Sequence, residues 1–83
     1  MHMKYIVVNG LTVFIFTDDW THQNFAFNMN INVKEITSAG FFQITSRGAR
    51  CYGESISLGK RASPKDSALV NKLAGDNFDD ETA

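Results

Sequence analysis

Asn9-Gly10 constrains this chain more than any other pair of residues. It stands between two β-branched and aromatic runs, Lys4–Val8 and Leu11–Phe16. Both central residues of a tight hairpin turn must tolerate positive φ, which asparagine and glycine do at least cost. The two runs are therefore expected to pair as an antiparallel hairpin. Alternation along the second run puts Leu11, Val13 and Ile15 on one face and Thr12, Phe14 and Phe16 on the other. Both faces are largely apolar, so this strand is either covered on both sides or offers an interface.

The other strong local signal lies at Ser63-Pro64-Lys65-Asp66. Serine suits an N-cap, proline the first helical position, and Asp66 takes the third position of a capping box usually held by Glu. The spacing predicts a helix over about Pro64–Ala74, with Leu69, Val70 and Leu73 on its apolar stripe and Gly75 ending it. Between these anchors, Thr17-Asp18-Asp19 supplies turn chemistry. A short helix is expected within Trp20–Met29, capped by Thr21 or Asp19. Asn28, Asn30 and Asn32 alternate with Met29, Ile31 and Val33, which predicts extended chain from Asn30 onward. Gly40 reads as a bulge or bend, Ser46–Ala49 as a second hairpin turn, and Arg50–Leu58 as the returning strand. The expected fold class is α+β: a small antiparallel sheet of about four strands, a short helix after the first hairpin, and a C-terminal helix packed on the sheet.

At 83 residues the chain is expected to be a single domain over 1–75 with one small core. So small a core leaves little net stability, which favours a homo-oligomer. Met1-His2 reads as an extra pair ahead of a start at Met3, so His2 carries no argument. Through residue 75 there are eight bases against five acids, a balance of +3, while residues 76–83 carry four acids and no base. This acidic end is expected to be a flexible tail. One cysteine, Cys51, excludes an internal disulfide and fits a reducing cytosol. No apolar run approaches the ~20 residues of a membrane span.

Catalytic signals are weak. Asp18 and Asp19 are adjacent, so their side chains diverge. His22 has no ligand partner at metal spacing and reads as a surface or capping histidine. Ser55 and Ser57 lack nucleophile-elbow context. No enzyme, metal or cofactor is expected. Long nucleic acid is disfavoured by a sequence pI of about 6.0. A small anion fits better: Lys60 and Arg61 lead into the last helix, whose N–H groups attract negative charge, with the Ser63 hydroxyl as a further donor. Arg47, Arg50 and Trp20 are secondary candidates.

The blocks Thr37-Ser38-Ala39-Gly40-Phe41, Gly53-Glu54-Ser55-Ile56-Ser57-Leu58-Gly59 and Ser63-Pro64-Lys65-Asp66 resemble small proteins of tailed bacteriophages and prophages across nearly the whole chain. That family carries no established activity and assigns no residue a role. The resemblance implies a non-enzymatic phage protein in the cytoplasm of an infected bacterium. Its leading function is a counter-defence protein that sequesters a phosphorylated nucleotide signal. The alternatives are an inhibitor that binds a host defence protein through the Phe face of the first hairpin or a sheet edge, and a minor virion or assembly component.

Overall fold

The computed structural model describes residues 3–73. Strands β1 (Met3–Val8) and β2 (Thr12–Phe16) are followed by helix α1 (His22–Asn28) and a 3-10 turn at Val33–Glu35. Then come β3 (Ile36–Thr45), β4 (Gly48–Tyr52), β5 (Glu54–Ser55) and β6 (Lys60–Arg61). A second helix, α2, covers 66–73 of the described residues. The main sheet is antiparallel in the order β2-β1-β3-β4, and β5 and β6 make a separate two-stranded ribbon. The expected α+β architecture is the one observed. The expected helix end at Ala74 and Gly75, the acidic segment 76–83 and Met1-His2 lie outside the described residues.

The first hairpin forms where Asn9-Gly10 places it. Asn9 and Gly10 have φ of 54° and 68°, and the Leu11 N–H reaches the Val8 carbonyl at 3.1 Å. The register pairs Val8 with Thr12, however, so the connection is three residues long and Leu11 is left exposed. Its turn is clamped from β3. The Gly10 N–H donates to Thr37 Oγ1, which itself donates to the Val7 carbonyl.

Thr37 is also where the sheet is irregular. Val7 pairs with Ser38 but Val8 pairs with Ile36, which leaves Thr37 as the extra residue of a bulge. The bulge resets the alternation, so Ile36 and Ala39 lie in one cluster with Ile6 although an odd number of positions separates them. The bulge expected at Gly40 is absent; β3 runs straight through it. Glycine is needed there for space, because a Cβ would sit 2.6 Å from the Tyr52 carbonyl oxygen.

Extended chain from Asn30 is likewise not found. The three asparagines serve three separate local roles. Asn28 belongs to α1 and donates back to the Asn24 carbonyl. Asn30, at φ 57°, follows the C-cap Met29. The N–H of Asn30 reaches Phe27 O and that of Ile31 reaches Ala26 O, the paired bonds of a Schellman motif. Asn32 caps the 3-10 turn through the Lys34 N–H. Their spacing by two is a coincidence of caps rather than a strand period. At the other end of α1, Thr21 is the cap, accepting from the Asn24 N–H at 3.0 Å.

The expected strand Arg50–Leu58 breaks at Gly53, which has φ 78°. β4 ends at Tyr52, and after β5 the chain turns back through 56–59 so that Ser55 pairs with Lys60 and Glu54 with Arg61.

Two clusters fill the two faces of the sheet. On one, Tyr5, Val7, Phe42 and Ala49 pack beneath Val70 of α2. On the other, Ile6, Phe16 and Ala39 pack beneath Ala26 of α1. Phe16 is buried and stacks on Phe25 at 4.0 Å, so the Phe face of the hairpin is largely covered rather than offered to a partner. The helix α2 also closes one sheet edge. Asn71 accepts from the Ala49 N–H and donates to its carbonyl, and Ser67 Oγ accepts from the Cys51 N–H.

The start of α2 is fixed by Asp66. Its carboxylate accepts from the Ser63 N–H at 2.8 Å, the reciprocal half of the capping box, and from Tyr5 Oη and Ser38 Oγ. The side chain is fully buried with all three donors in place. Asp66→Ala leaves these donors without a partner, and is expected to cost about 3 kcal/mol of stability; Tyr5→Phe, which deletes one donor, about 1 kcal/mol. Urea denaturation measures both, and a loss below about 0.5 kcal/mol in Asp66→Ala contradicts this account of the helix start.

Candidate functional site

The sheet's second face is incompletely covered. Register places Lys4 between Phe16 on β2 and Phe41 on β3, so the three side chains stand in a row across neighbouring strands. Helix α1 covers the Phe16 end. The chain after Gly53 passes over the Phe41 end. Between them lies a cleft of about 420 Å³, with Lys4, His22 and Phe41 on one side and Glu54, Ile56 and Ser57 on the other.

Each wall has an identifiable support. The Lys4 ammonium donates to the Trp20 carbonyl at 2.7 Å, lies 4.0 Å from Asp18 Oδ1 and stands 5.8 Å from the Phe41 ring centre. The Asp18 contact is at the surface and adds little energy. Ser57 Oγ accepts from the Gln23 N–H in the first turn of α1, and Ser55 Oγ accepts from the Leu58 N–H, each at 3.3 Å. The two hydroxyls are 3.3 Å apart. These bonds tie the 56–59 turn to both the ribbon and α1.

His22 is a buried polar group of the cleft, as Ser55 is, and not the surface or capping histidine expected. Its ring stands edge to face against Phe16 and Phe41 at 5.4 and 5.5 Å, and Nε2 lies 2.8 Å from the Gly40 carbonyl. Burial pushes its pKa below the ordinary imidazole value; Lys4 acts in the same direction, against the carbonyl bond. The ring is accordingly neutral near pH 7. Two other groups are displaced on the opposite face. Burial raises the Tyr5 hydroxyl, aided by its bond to Asp66, and burial raises the Cys51 thiol. Cys51 is thus a thiol under the helix, unsuited to act as a nucleophile.

The candidates expected from sequence are scattered. Arg61 stands across the ribbon from Glu54, which lines the cleft, while Lys60 pairs with Ser55; neither cation is in the lining. Ser63 lies on the far side of the sheet, beside a cavity of only about 120 Å³ that Asp66 and Ser38 also line. There the Asp66 carboxylate already engages the Ser63 N–H, and the Ser63 hydroxyl accepts from the Lys65 N–H at 3.4 Å. Arg47 sits in the β3–β4 turn and Arg50 lies opposite Gln43, away from the cleft lining. Trp20 is partly exposed, edge-on to Phe25, and contributes its carbonyl to Lys4. Sequence reasoning missed Lys4, Phe41 and Ser57 because only the strand register and the Gly53 turn bring them together. Among the described residues no group of three or more His, Cys, Asp or Glu is placed to hold a metal ion, and no helix is long and apolar enough to cross a membrane.

No protein-family model, curated protein or solved structure matches the chain.

The lowered His22 pKa makes a signed prediction. Above about pH 6.5 the ring is neutral in both folded and unfolded chains and costs nothing. As pH falls below that value the unfolded chain takes a proton that the folded ring resists, so stability declines. Urea midpoints at pH 7.5, 6.5 and 5.5 are expected to fall more steeply for the wild type than for His22→Gln; equal slopes contradict the assignment.

Proposed function

We propose that this chain is a small phage-encoded binding protein that acts without turnover, taking up a phosphorylated nucleotide signal in the cytoplasm of the infected bacterium. The observation that carries this reading is the cleft, where a lysine ammonium, an aromatic ring and a buried imidazole line about 420 Å³ of space. That volume falls in the range of small-molecule sites, about 300–1,000 Å³, and the lining mixes apolar surface with few polar groups. Lys4 offers the charge for a phosphate and Phe41 a face for a base. Arg61, across the ribbon from Glu54, is the second cation. The helix start at Ser63 is given no part, since Asp66 sets negative charge there.

A second reading, docking on a host protein, draws on Phe27, Met29 and Val33, three exposed apolar side chains within seven residues. Native mass spectrometry after incubation with extract of infected cells separates the two. A retained adduct of nucleotide mass favours the cleft, and a protein adduct on an apo chain favours docking.

Calorimetry with a nucleoside 5′-monophosphate, its nucleoside and inorganic phosphate tests the cleft directly. The nucleotide is expected to bind more tightly than either part. Lys4→Met, which retains the apolar stem, is expected to weaken it at least tenfold, about 1.4 kcal/mol, with the fold intact. Arg61→Ala is expected to cost less. Unchanged affinity in Lys4→Met contradicts the site.

A further inference from the structure

Among the described residues, one buried polar side chain of the cleft keeps an atom that the protein's own hydrogen bonds do not use. His22 is 3% exposed. Its Nε2 faces the Gly40 carbonyl at 2.8 Å. A carbonyl only accepts, so Nε2 carries the hydrogen and Nδ1 is the lone-pair nitrogen of the neutral ring. Nδ1 makes no hydrogen bond among the described residues, yet no buried side-chain nitrogen or oxygen among them lacks a partner. Nδ1 therefore keeps some contact with solvent, and the open space that His22 lines is the cleft.

The ring is not free to turn that atom away. Phe16 and Phe41 hold it edge to face from two sides, and Gly40 fixes the opposite nitrogen. Two hydroxyls and the ammonium beside the ring already have partners, while the Glu54 carboxylate stands exposed in the lining. Ser57 Oγ accepts from the Gln23 N–H, Ser55 Oγ accepts from the Leu58 N–H, and the Lys4 ammonium donates to the Trp20 carbonyl. The Phe41 ring, on which Tyr52 also stacks, adjoins His22 at 5.5 Å, so a planar group lying against Phe41 comes close to the imidazole.

We propose that His22 Nδ1 is the fixed acceptor by which the cleft selects its ligand, so that the bound heteroaromatic base presents an N–H donor to it. The proposal rests on the cleft reading given above. Burial keeps the imidazole neutral and so keeps the acceptor available. A base without the donor would strip water from Nδ1 and give nothing back, and sites built on a buried hydrogen bond reject such analogues strongly.

Two substitutions separate the two nitrogens. His22→Gln retains an N–H donor near the Nε2 position for Gly40 and removes the acceptor. His22→Asn retains an acceptor near Nδ1 and gives up the Gly40 bond. The probes are adenosine 5′-monophosphate and purine riboside 5′-monophosphate, which lacks only the 6-amino group, titrated into the full chain by calorimetry. The wild type is expected to bind the amino compound at least tenfold more tightly. His22→Gln is expected to abolish that preference, His22→Asn to keep part of it, and Lys4→Met to weaken both probes alike. Equal wild-type affinity for the two probes, or a preference undiminished in His22→Gln, overturns the acceptor role and leaves the cleft reading standing. Failure of the wild type to bind either probe counts against the cleft reading and the selection built on it. Long-range ¹H–¹⁵N spectra of the free protein judge the acceptor separately: the Nε2–H tautomer is expected, and an Nδ1–H tautomer overturns the proposal whatever binds.

Discussion

The Asp66 carboxylate joins three segments that are distant in sequence. It takes hydrogen bonds from Tyr5 in the first strand, Ser38 in the third and the Ser63 backbone at the start of the last helix. A carboxylate removed from water is costly unless donors replace its hydration. Only when all three segments are in place are those donors present, so the bond set couples the helix start to the two central strands. It fixes where α2 begins and which face it covers. The helix then lays Val70 on Tyr5 and Val7 and uses Ser67 and Asn71 to close the β4 edge.

That arrangement settles the opposite face by difference. With α2 on one side, the row Phe16, Lys4 and Phe41 is left to α1 and to the chain beyond Gly53. Neither covers it fully. α1 is seven residues long, held at both ends by Thr21 and by the Asn30 Schellman turn. The Gly53 turn swings the chain across Phe41 without filling the space above Lys4. The result is a cleft whose floor is rigid sheet and whose wall is a short turn pinned by serine hydroxyls. A ligand in such a cleft would be positioned from fixed strands rather than from a mobile loop.

Local chemistry made much of the fold legible. Asn9-Gly10 specified the first turn, and Ser63-Pro64-Lys65-Asp66 specified the capping turn of the last helix, with Asp66 in the reciprocal capping bond, although the helix itself begins at 66 rather than at Pro64. Both signals depend on backbone geometry within four residues. The failures share one cause: a residue can serve a constraint that lies elsewhere in the chain. Gly40 looked like a bend but makes room for the Tyr52 carbonyl. The asparagines at 28, 30 and 32 looked like strand alternation but finish one helix and start a turn. Gly53 ended a strand that its flanking residues would have continued. The site was less legible still. Lys4, His22, Phe41 and Ser57 come from four elements, and neither composition nor spacing links them. A basic run before a helix invites an anion only if the helix end is free, and here a side chain of that same helix occupies it.

Ligand uptake on the α1 side of the sheet, in the cleft above Lys4, is tested by a backbone and side-chain NMR map of the full chain during titration with adenosine 5′-monophosphate. Shift changes are expected to concentrate on Lys4, His22, Phe41 and Glu54–Ser57, with Tyr5, Ser38 and Asp66 unmoved. Changes centred on Ser63–Asp66, or on Phe27–Val33, would contradict uptake in the cleft.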